Sequence, residues 1–226
     1  MMEETGRRAL VIGASGGIGA AICDELRTRG WKITRLSRRD DGFDVTDPGS
    51  VADALQNVSG PFDLVFVAVG ILAPSGGAPE KSLSVIDAHA MQQVFGVNTI
   101  GPALILRHAG DLLPRDRPAV FATLSARVGS IGDNQIGGWY SYRASKAALN
   151  QIIHGAAIEL GRSHKQSVCV ALHPGTVETP FTADYAGRHK TTPADEAARN
   201  LLDVIDGLTP DQTGGFFDYA GEEIVW

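Results

Sequence analysis

Five short, mainly apolar runs recur along the chain, and β-branched residues are frequent in them. They lie at residues 9–12, 32–36, 64–69, 119–124 and 168–172. Runs that do not alternate with polar residues are typical of strands covered on both faces, as in a parallel sheet. The pattern therefore predicts a sheet that is buried between two layers of helices.

Between the predicted strands, apolar residues recur at every fourth position, which is the spacing of one helix face. Ile18, Ile22 and Leu26 form one such series, and a second runs from Ala144 to Leu160. Strands that alternate with helices predict an α/β fold with right-handed crossovers. We expect a Rossmann-type, doubly wound parallel sheet flanked by helices, formed by residues 1–226 as a single domain.

The composition is that of a globular chain with a substantial core, since 43% of the 226 residues are hydrophobic and 20% are charged. The net charge of −6 has the wrong sign for broad attraction to nucleic acid or to an anionic membrane surface. No run reaches the roughly 18 apolar residues of a membrane span, and the first residues lack the pattern of a signal peptide. We expect a cytoplasmic protein with no nucleic-acid or membrane partner.

The cysteines and histidines give no sign of a disulfide framework or a metal site. Cys23 and Cys169 each lie in an apolar pattern, which predicts buried thiols. The six histidines are scattered without the spacing of metal ligands. We therefore expect no catalytic metal.

A glycine-rich turn, Gly13 to Gly19, joins the first predicted strand to the first helix. Glycines let backbone N–H groups approach a pyrophosphate, and the helix N-terminus adds donors and a favourable dipole. The spacing differs from the G-x-G-x-x-G fingerprint, so the turn alone does not establish a dinucleotide site. Its position directly after the first strand favours one.

Ser37, Arg38 and Arg39 follow the second strand, where a dinucleotide fold places the residue that binds the adenosine ribose. A carboxylate there suits the 2′-hydroxyl of NAD, whereas a hydroxyl and guanidinium groups suit the 2′-phosphate of NADP. The sequence therefore predicts NADP as the cofactor, with NAD as the alternative. The alternative is that the two arginines lie on the solvated surface, pair with Asp40 and Asp41, and bind no phosphate.

The next helix is preceded by Asp44, Thr46 and Asp47, and either of the last two suits its N-cap. Asp44, which comes before the cap, is the better candidate for fixing the loop beneath the adenine.

Tyr142 and Lys146 are four residues apart in a predicted helix, so their side chains share one helix face. A fixed cation beside a phenol favours the phenolate and lowers the phenol pKa from about 10. The pair thus predicts a tyrosine that acts as a general acid or base near neutral pH. Tyr140 is six positions from Lys146, which places it on a different helix face, so it is less suited to act as the general acid or base.

Five segments, in order and approximate spacing, resemble the short-chain dehydrogenase/reductase family: the glycine turn, the Asp44-Val45 pair, Asn98 in residues 96–99, the Tyr142/Lys146 pair, and residues 173–179. The resemblance spans nearly the whole chain. Residues 124–131 and 216–226 resemble in particular the C-factor/sniffer-like carbonyl reductase branch.

The resemblance implies a separate role for each of these residues. Tyr142 protonates a carbonyl oxygen as hydride arrives from the nicotinamide, Lys146 lowers the pKa of Tyr142 and holds the nicotinamide ribose, and Asn98 kinks its helix and binds a relay water. The implied cofactor contacts, besides Tyr142 and Lys146, are Gly13, Ser15, Gly17, Ile18, Gly19, Ser37, Arg38, Asp44, Val45, Gly70, Pro174, Gly175, Val177 and Thr179.

The family also places a serine against the substrate oxygen, three residues before a glycine. Counting back from Gly129 gives Ala126, so this sequence departs from the pattern. We expect Ser125 to take the role, with Ser130 as the second candidate. Because neighbouring strand residues face opposite ways, Ser125 needs a local bulge to aim at the substrate.

The substrate pocket is expected to form from residues 71–78, 132–139 and 180–190. Trp139, Phe181 and Tyr185 suit an apolar wall, although core or subunit contacts are an equal alternative. The helix from about residue 142 to 162 is apolar over more than one stripe, which predicts a second partner surface. In relatives this helix and the region from about residue 84 to 113 form a dimer, so we expect a homodimer or homotetramer.

Two functions follow from these observations. The favoured one is an NADP-dependent oxidoreductase that acts on a small-molecule carbonyl or alcohol substrate. The alternative is a nucleotide-binding signalling or regulatory protein of the same fold with little turnover, which the Ala126 departure and the C-factor resemblance support. The presence of Asn98, Tyr142 and Lys146 argues for the enzyme.

Overall fold

The computed structural model describes residues 6–181 and 191–226, which build one six-stranded parallel sheet flanked by helices. The predicted fold class is confirmed. The strands are β1 (Arg8–Ile12), β2 (Lys32–Leu36), β3 (Leu64–Val67), β4 (Ala119–Leu124), β5 (Ser167–His173) and β6 (Phe216–Asp218). Five of them coincide with predicted runs, whereas the three residues of β6 are too few to show a periodic pattern.

Eight α-helices connect or cover these strands in the described part of the chain. They are α1 (Gly17–Thr28), α2 (Arg38–Asp41), α3 (Pro48–Gln56), α4 (Ala88–Phe95), α5 (Gly101–Leu106), α6 (Ala109–Leu112), α7 (Tyr140–Leu160) and α8 (Ala194–Gly207). None of them is long and apolar enough to cross a bilayer.

The strand order is β2-β1-β3-β4-β5-β6, so the chain reverses direction across the sheet at β1. Val11 of β1 pairs with Arg35 on one side and with Phe66 on the other. Open α/β sheets bind ligands at such a reversal, beyond the carboxyl ends of the strands. The residues that leave β1, β2 and β3 are therefore the ones positioned to meet a ligand.

Each face of the sheet has its own hydrophobic core. On one face, α1 and α8 contribute Ile22 and Leu201, which pack in the same cluster as Phe66 of β3. On the other face, α7 contributes Leu149 and Ile153. All five side chains are fully buried, which accounts for the continuous apolar runs of the strands. Cys23 and Cys169 are buried free thiols, as predicted.

The helical region expected near residues 84–113 is broken at its centre. α4 ends at Phe95, a π-helical turn spans Gly96–Ile100, and α5 begins at Gly101. Such turns insert one extra residue and occur often at functional sites. Asn98 lies inside this turn, which interrupts the α-helical pattern at the residue where the resemblance implies a kink.

Candidate active site

The glycine turn forms a tight cradle at the carboxyl end of β1. Gly13 has a φ of +85°, and a Cβ added there would lie 2.5 Å from the carbonyl oxygen of Ala68. A methyl group at Gly19 would collide with the carbonyl of Gly13. The carbonyl of Leu36 accepts the N–H groups of Gly13 (2.8 Å) and Ala14 (3.2 Å), which fastens the turn to the end of β2.

The first turn of α1 leaves its backbone donors available to an anion. The N-cap is Gly16, which has no side chain to accept a hydrogen bond from the following N–H groups. The N–H groups at the start of a helix have no partner within the helix. The cradle therefore fits a phosphate group, with Ser15 at its rim and Gly17, Ile18 and Gly19 supplying donors.

The segment that follows β5 closes over this cradle. A Cβ added to Gly17 would lie 2.5 Å from Cγ2 of Thr179, so the two loops are in direct contact. Val177 is buried and pairs with Thr192 in an isolated parallel bridge. Pro174 and Gly175 begin the segment, and Gly175 has a φ of +77° against the ring of Tyr219. The segment thus borders the same ligand space as the glycine turn.

Asn98, Gly70 and Lys146 meet at the carboxyl end of β3. The Asn98 side chain accepts the N–H of Ile71 (2.8 Å) and donates to its carbonyl (2.9 Å) and to Oγ of Ser145 (3.0 Å). A Cβ at Gly70 would lie 3.4 Å from Asn98 Oδ1 and 3.5 Å from Lys146 Nζ. Asn98 therefore joins the β3 exit to α7, and Gly70 keeps the space between them open.

Tyr142 and Lys146 lie side by side on α7, and both are buried. The Lys146 Nζ is 6.0 Å from the centre of the Tyr142 ring and donates to the carbonyl of Leu124 (2.9 Å). Burial lowers the pKa of Lys146 to about 7 and raises the pKa of Tyr142 above its usual range. The direction for Tyr142 is opposite to the lowering that the sequence predicts, because burial disfavours the charged phenolate.

Comparisons with known proteins identify the family. The family model described as enoyl-(acyl carrier protein) reductase matches residues 13–207. The 1-hydroxy-2-glutathionyl-2-methyl-3-butene dehydrogenase of Rhodococcus sp. (strain AD45) is 32% identical over 96% of this chain and 98% of its own length. The C-signal protein of Myxococcus xanthus is 39% identical over 64% of this chain and 84% of its own. The chain belongs to the short-chain dehydrogenase/reductase family.

Solved structures of this family share the fold. A short-chain dehydrogenase/reductase from Burkholderia multivorans with bound NADP superposes with a TM-score of 0.79 at 25% identity, covering 97% of this chain and 99% of that one. The carbonyl reductase Sniffer of D. melanogaster superposes with a TM-score of 0.75 at 22% identity, covering 98% and 100%. Family membership makes this protein an NAD(P)-dependent oxidoreductase in class.

The two serine candidates for the substrate oxygen both have other partners. Ser125 is buried and its hydroxyl donates to Oδ1 of Asn150 (2.6 Å), two turns of α7 beyond Tyr142. Ser130 is buried and its hydroxyl accepts the N–H of Asp133 (3.0 Å). The bulge that would turn Ser125 toward a substrate is absent, because its N–H continues the strand ladder to the carbonyl of Leu172 (2.8 Å). This geometry speaks against the expectation for Ser125.

Ala126 holds the serine position of the family pattern, and it is buried and extended, with a φ of −149° and a ψ of 141°. Its side chain therefore points away from that of Ser125. The 3-10 turn that follows, Arg127–Gly129, packs on α7, since a Cβ at Gly129 would lie 2.7 Å from Cβ of Lys146. The residue at the family's serine position therefore carries no hydroxyl, and the turn that follows it packs on α7.

Ser37 is the N-cap of α2 and is 2% exposed. Its hydroxyl accepts the N–H of Asp40 (3.1 Å), while its own N–H donates to Oδ2 of Asp41 (2.8 Å). These hydrogen bonds engage the hydroxyl and the N–H of Ser37 in the α2 cap, and the role of Ser37 and Arg38 at a 2′-phosphate stays a prediction. Arg39 pairs with Asp40 at 2.9 Å, whereas Arg38 is exposed.

Asp44 fixes its loop, as expected, by accepting the N–H (2.8 Å) and the hydroxyl (2.7 Å) of Thr46. These hydrogen bonds lower the pKa of Asp44. Asp47 is the N-cap of α3, since its carboxylate accepts the N–H groups of Gly49 and Ser50. Val45 is buried and its side chain packs against Gly101.

Two of the three aromatic residues expected in the pocket do flank Tyr142. The ring of Trp139 lies 6.2 Å from that of Tyr142, edge to face, and the ring of Phe181 lies 6.1 Å away. Tyr185 lies outside the described residues. Trp139 has a φ of 53°, an unusual conformation for a bulky side chain that tends to cluster at functional sites. Among the described residues no group of metal-ligating side chains is present.

Two residues near the site carry no signal in the sequence pattern. The Glu80 carboxylate accepts the N–H of Ser141 (3.2 Å) and its hydroxyl at the start of α7. Arg35, in the middle of a strand pattern, donates from Nη2 to the carbonyl of Ala14 (3.2 Å) in the glycine turn. Both contacts join segments far apart in the chain, so only the fold shows them.

Proposed function

We propose that this protein is an NADPH-dependent reductase that interconverts a small-molecule carbonyl compound and its alcohol. The observation that carries the proposal is the grouping of Asn98, Tyr142 and Lys146 beside a phosphate cradle at one edge of the sheet. The NADP and NADPH that are present in structures of family relatives support the cofactor. The Rhodococcus relative is named as the dehydrogenase of an alcohol, which supports the substrate class.

The residues of the cradle fit a dinucleotide. Gly17, Ile18 and Gly19 would hold the pyrophosphate of a bound dinucleotide, Asp44 and Gly70 would border its adenosine, and the segment from Pro174 to Thr179 would border its nicotinamide end. A bound nicotinamide supplies the hydride for carbonyl reduction.

In the reduction, Tyr142 gives its phenolic proton to the carbonyl oxygen as the carbon atom gains hydride, so the product is a neutral alcohol. An alkoxide is far more basic than a phenolate, and this proton transfer remains downhill even with a raised Tyr142 pKa. The buried Lys146 then stabilises the phenolate that forms, and a proton from solvent restores the tyrosine. Asn98 keeps α7 at a fixed distance from the β3 exit throughout.

We further propose that the protein works in the cytoplasm as a homodimer or homotetramer. Exposed apolar side chains on the outer helices support an assembly, since Ile100 is 51% exposed and Ile158 of α7 is 58% exposed. Sedimentation velocity at micromolar concentration should show a dimer or larger species. A monomer alone under these conditions would remove this part of the proposal.

The activity is tested by following NADPH oxidation with a panel of aldehydes, ketones and quinones, with Tyr142→Phe as the control. Loss of the general acid should lower kcat by about 10²- to 10⁴-fold while the Kd of NADPH, read by its fluorescence, changes little. Turnover that survives Tyr142→Phe would contradict the role of Tyr142. Tight NADPH binding with no turnover on any substrate would favour the regulatory alternative, which the C-signal relative and Ala126 support.

A further inference from the structure

Residues 222–226, which we call the return segment, fold back along β6. The N–H of Ile224 donates to the carbonyl of Phe216 in β6 (2.7 Å). Ile224 is 2% exposed, and its side chain lies in the same core cluster as that of Phe216. The return segment is therefore fastened to the edge of the sheet before the chain reaches Trp226.

The ring of Trp226 lies between β6 and α7. It stacks on the ring of Phe216, with the ring centres 5.6 Å apart and the planes at 21°. It also meets the ring of His154 on α7 edge to face, at 5.7 Å. Aromatic pairs at these separations are favourable beyond the area that they bury. Two rigid elements thus set the position of residue 226.

The backbone of Trp226 holds a loop that borders the candidate active site. This loop, residues 130–138, is called the rim loop below. The carbonyl of Trp226 accepts the N–H of Gly132 (2.9 Å). The two segments are in close contact, because a Cβ added to Gly132 would lie 3.2 Å from that oxygen and 3.3 Å from the side chain of Val225.

A charge contact joins the rim loop to β6 as well. The Arg127 guanidinium donates from Nη2 to Oδ2 of Asp218 in β6 (3.0 Å), and its Nη1 lies 3.6 Å from Oδ2 of Asp133 in the rim loop. Other hydrogen bonds of the loop, such as the one from the N–H of Asp133 to Oγ of Ser130 (3.0 Å), close local turns. The position of the rim loop relative to the sheet therefore depends on β6 and the return segment.

Both ends of the rim loop adjoin residues of the candidate active site. The loop follows the turn after Ala126, and it leads into Trp139, whose ring lies 6.2 Å from that of Tyr142. The start of α7 is held separately, because the Glu80 carboxylate accepts the N–H of Ser141. A displaced rim loop should therefore change the space for a substrate and leave Tyr142 in place.

We propose that Trp226 is a positioning residue for substrate binding, because it holds the rim loop in place beside Tyr142. This inference rests on the proposed reductase function. A loop that is already ordered costs less free energy when a ligand binds. The effect of Trp226 should therefore be on the affinity for the substrate and not on the chemical step.

The first measurement is amide hydrogen exchange on the full chain without cofactor. Trp226→Ala should raise the exchange rate within residues 130–138 by about tenfold, because loss of the ring frees the carbonyl that holds Gly132. Exchange within β4 should stay unchanged. Gly132→Ala keeps the ring and disturbs the same contact from the other side, so it should also raise the exchange rate of the loop.

The second measurement is steady-state reduction of the best substrate in the panel of aldehydes, ketones and quinones. Trp226→Ala and Gly132→Ala should each raise KM by about 5- to 10-fold, with kcat and the Kd of NADPH within about twofold of wild type. Trp226→Phe retains a ring to stack on Phe216 and should bring KM back to within about twofold.

Trp31→Ala is the matched control for the loss of an indole ring. Trp31 directly precedes β2, at the amino end of the sheet, and its ring lies 4.2 Å from the guanidinium carbon of Arg7. Because it is at the opposite end of the sheet from the rim loop, the variant should change neither the exchange rate of the loop nor KM.

Unchanged exchange of the rim loop in both Trp226→Ala and Gly132→Ala would overturn the inference, since Trp226 would not hold the loop. Faster exchange with an unchanged KM would overturn it too, because the loop would then have no part in substrate binding. An equal rise of KM in Trp31→Ala would mean that KM follows overall stability. If the wild-type protein reduces no substrate, the proposed function fails and the substrate role fails with it, whereas the exchange rates still decide whether Trp226 holds the loop.

Discussion

The carboxylate of Glu80 accepts hydrogen bonds from both the backbone N–H and the hydroxyl of Ser141, the residue that precedes Tyr142. The backbone carbonyl of Glu80 also accepts the N–H of Trp139. A carboxylate at a helix N-terminus is stabilising because it satisfies unpaired donors and meets the positive end of the dipole. Glu80 therefore fixes the first turn of α7 from 61 residues away.

Glu80→Ala should displace the first turn of α7 and with it Tyr142. We expect a loss of stability of about 1–2 kcal/mol and a decrease in kcat of about tenfold, with the Kd of NADPH nearly unchanged. Glu80→Gln keeps an acceptor for the Ser141 N–H and should recover most of the activity. Thermal unfolding and steady-state kinetics measure both effects. A Glu80→Ala enzyme with normal kcat would show that Tyr142 does not depend on this cap.

Lys146→Met should make the protein more stable and inactive. Burial lowers the pKa of Lys146 from its usual 10.5 to about 7, so between these values the unfolded chain binds a proton that the folded chain does not. The free energy of unfolding therefore decreases as pH falls from 10.5 to 7. Below pH 7 the contribution of Lys146 to it stays constant. The methionine has no such cost, and we expect a gain of about 2–4 kcal/mol at pH 7.

Urea unfolding at pH 7 and at pH 9.5 measures this effect, and the gain should be smaller at the higher pH. An equal gain at both values would mean that packing rather than charge burial accounts for it.

His173 should make the protein sensitive to mild acid. Burial and the nearby Arg127 lower its pKa to about 4 against an opposing effect of Asp218. The unfolded chain takes up a proton near pH 6.5, and the folded chain does so only near pH 4. The contribution of His173 to the free energy of unfolding is therefore complete above pH 6.5, and it is lost as pH drops from 6.5 to 4.

His173→Gln should remove about 2 kcal/mol of the difference in unfolding free energy between pH 7 and pH 4.5. Denaturant unfolding of both proteins at the two pH values checks this. If the variant loses as much stability as the wild type over this interval, other groups carry the acid sensitivity.

Ala126→Ser should raise kcat/KM, because the new hydroxyl takes the place that the family uses for the substrate oxygen. A single donor to a developing oxyanion is worth up to about 10²-fold, and we expect at least a tenfold rise for the best substrate. Ser125→Ala, the matched control, should leave kcat within about twofold, since Ser125 bonds to Asn150. It should cost about 1–2 kcal/mol of stability by leaving Asn150 without that bond. A large loss of kcat in Ser125→Ala would reverse this assignment.

The sequence predicts the sheet and the juxtaposition of Tyr142 and Lys146 because these depend on local spacing. The apolar runs define five strands, and the four-residue interval between Tyr142 and Lys146 is enough to place both on one helix face. The glycine turn is likewise predictable, since its conformation depends on residues that are adjacent in the chain.

The features that the sequence does not predict depend on hydrogen bonding and burial, which residue type and spacing do not reveal. Ser37 has the right chemistry for a phosphate, but Asp41 and Asp40 engage it as a helix cap. The direction of the Ser125 side chain depends on whether β4 continues its ladder to β5. The pKa shifts of Tyr142 and Lys146 depend on burial, which spacing along the chain does not reveal.

Leu36 links the glycine turn of the candidate site to the hydrophobic core. Because its carbonyl oxygen accepts the N–H groups of both Gly13 and Ala14, the position of the cradle depends on the end of β2. The side chain of Leu36 lies in the same core cluster as Phe43 and Val45. Large-to-small substitutions in this core should therefore lower the affinity for the cofactor together with the free energy of unfolding, even where the substituted residue contacts no ligand.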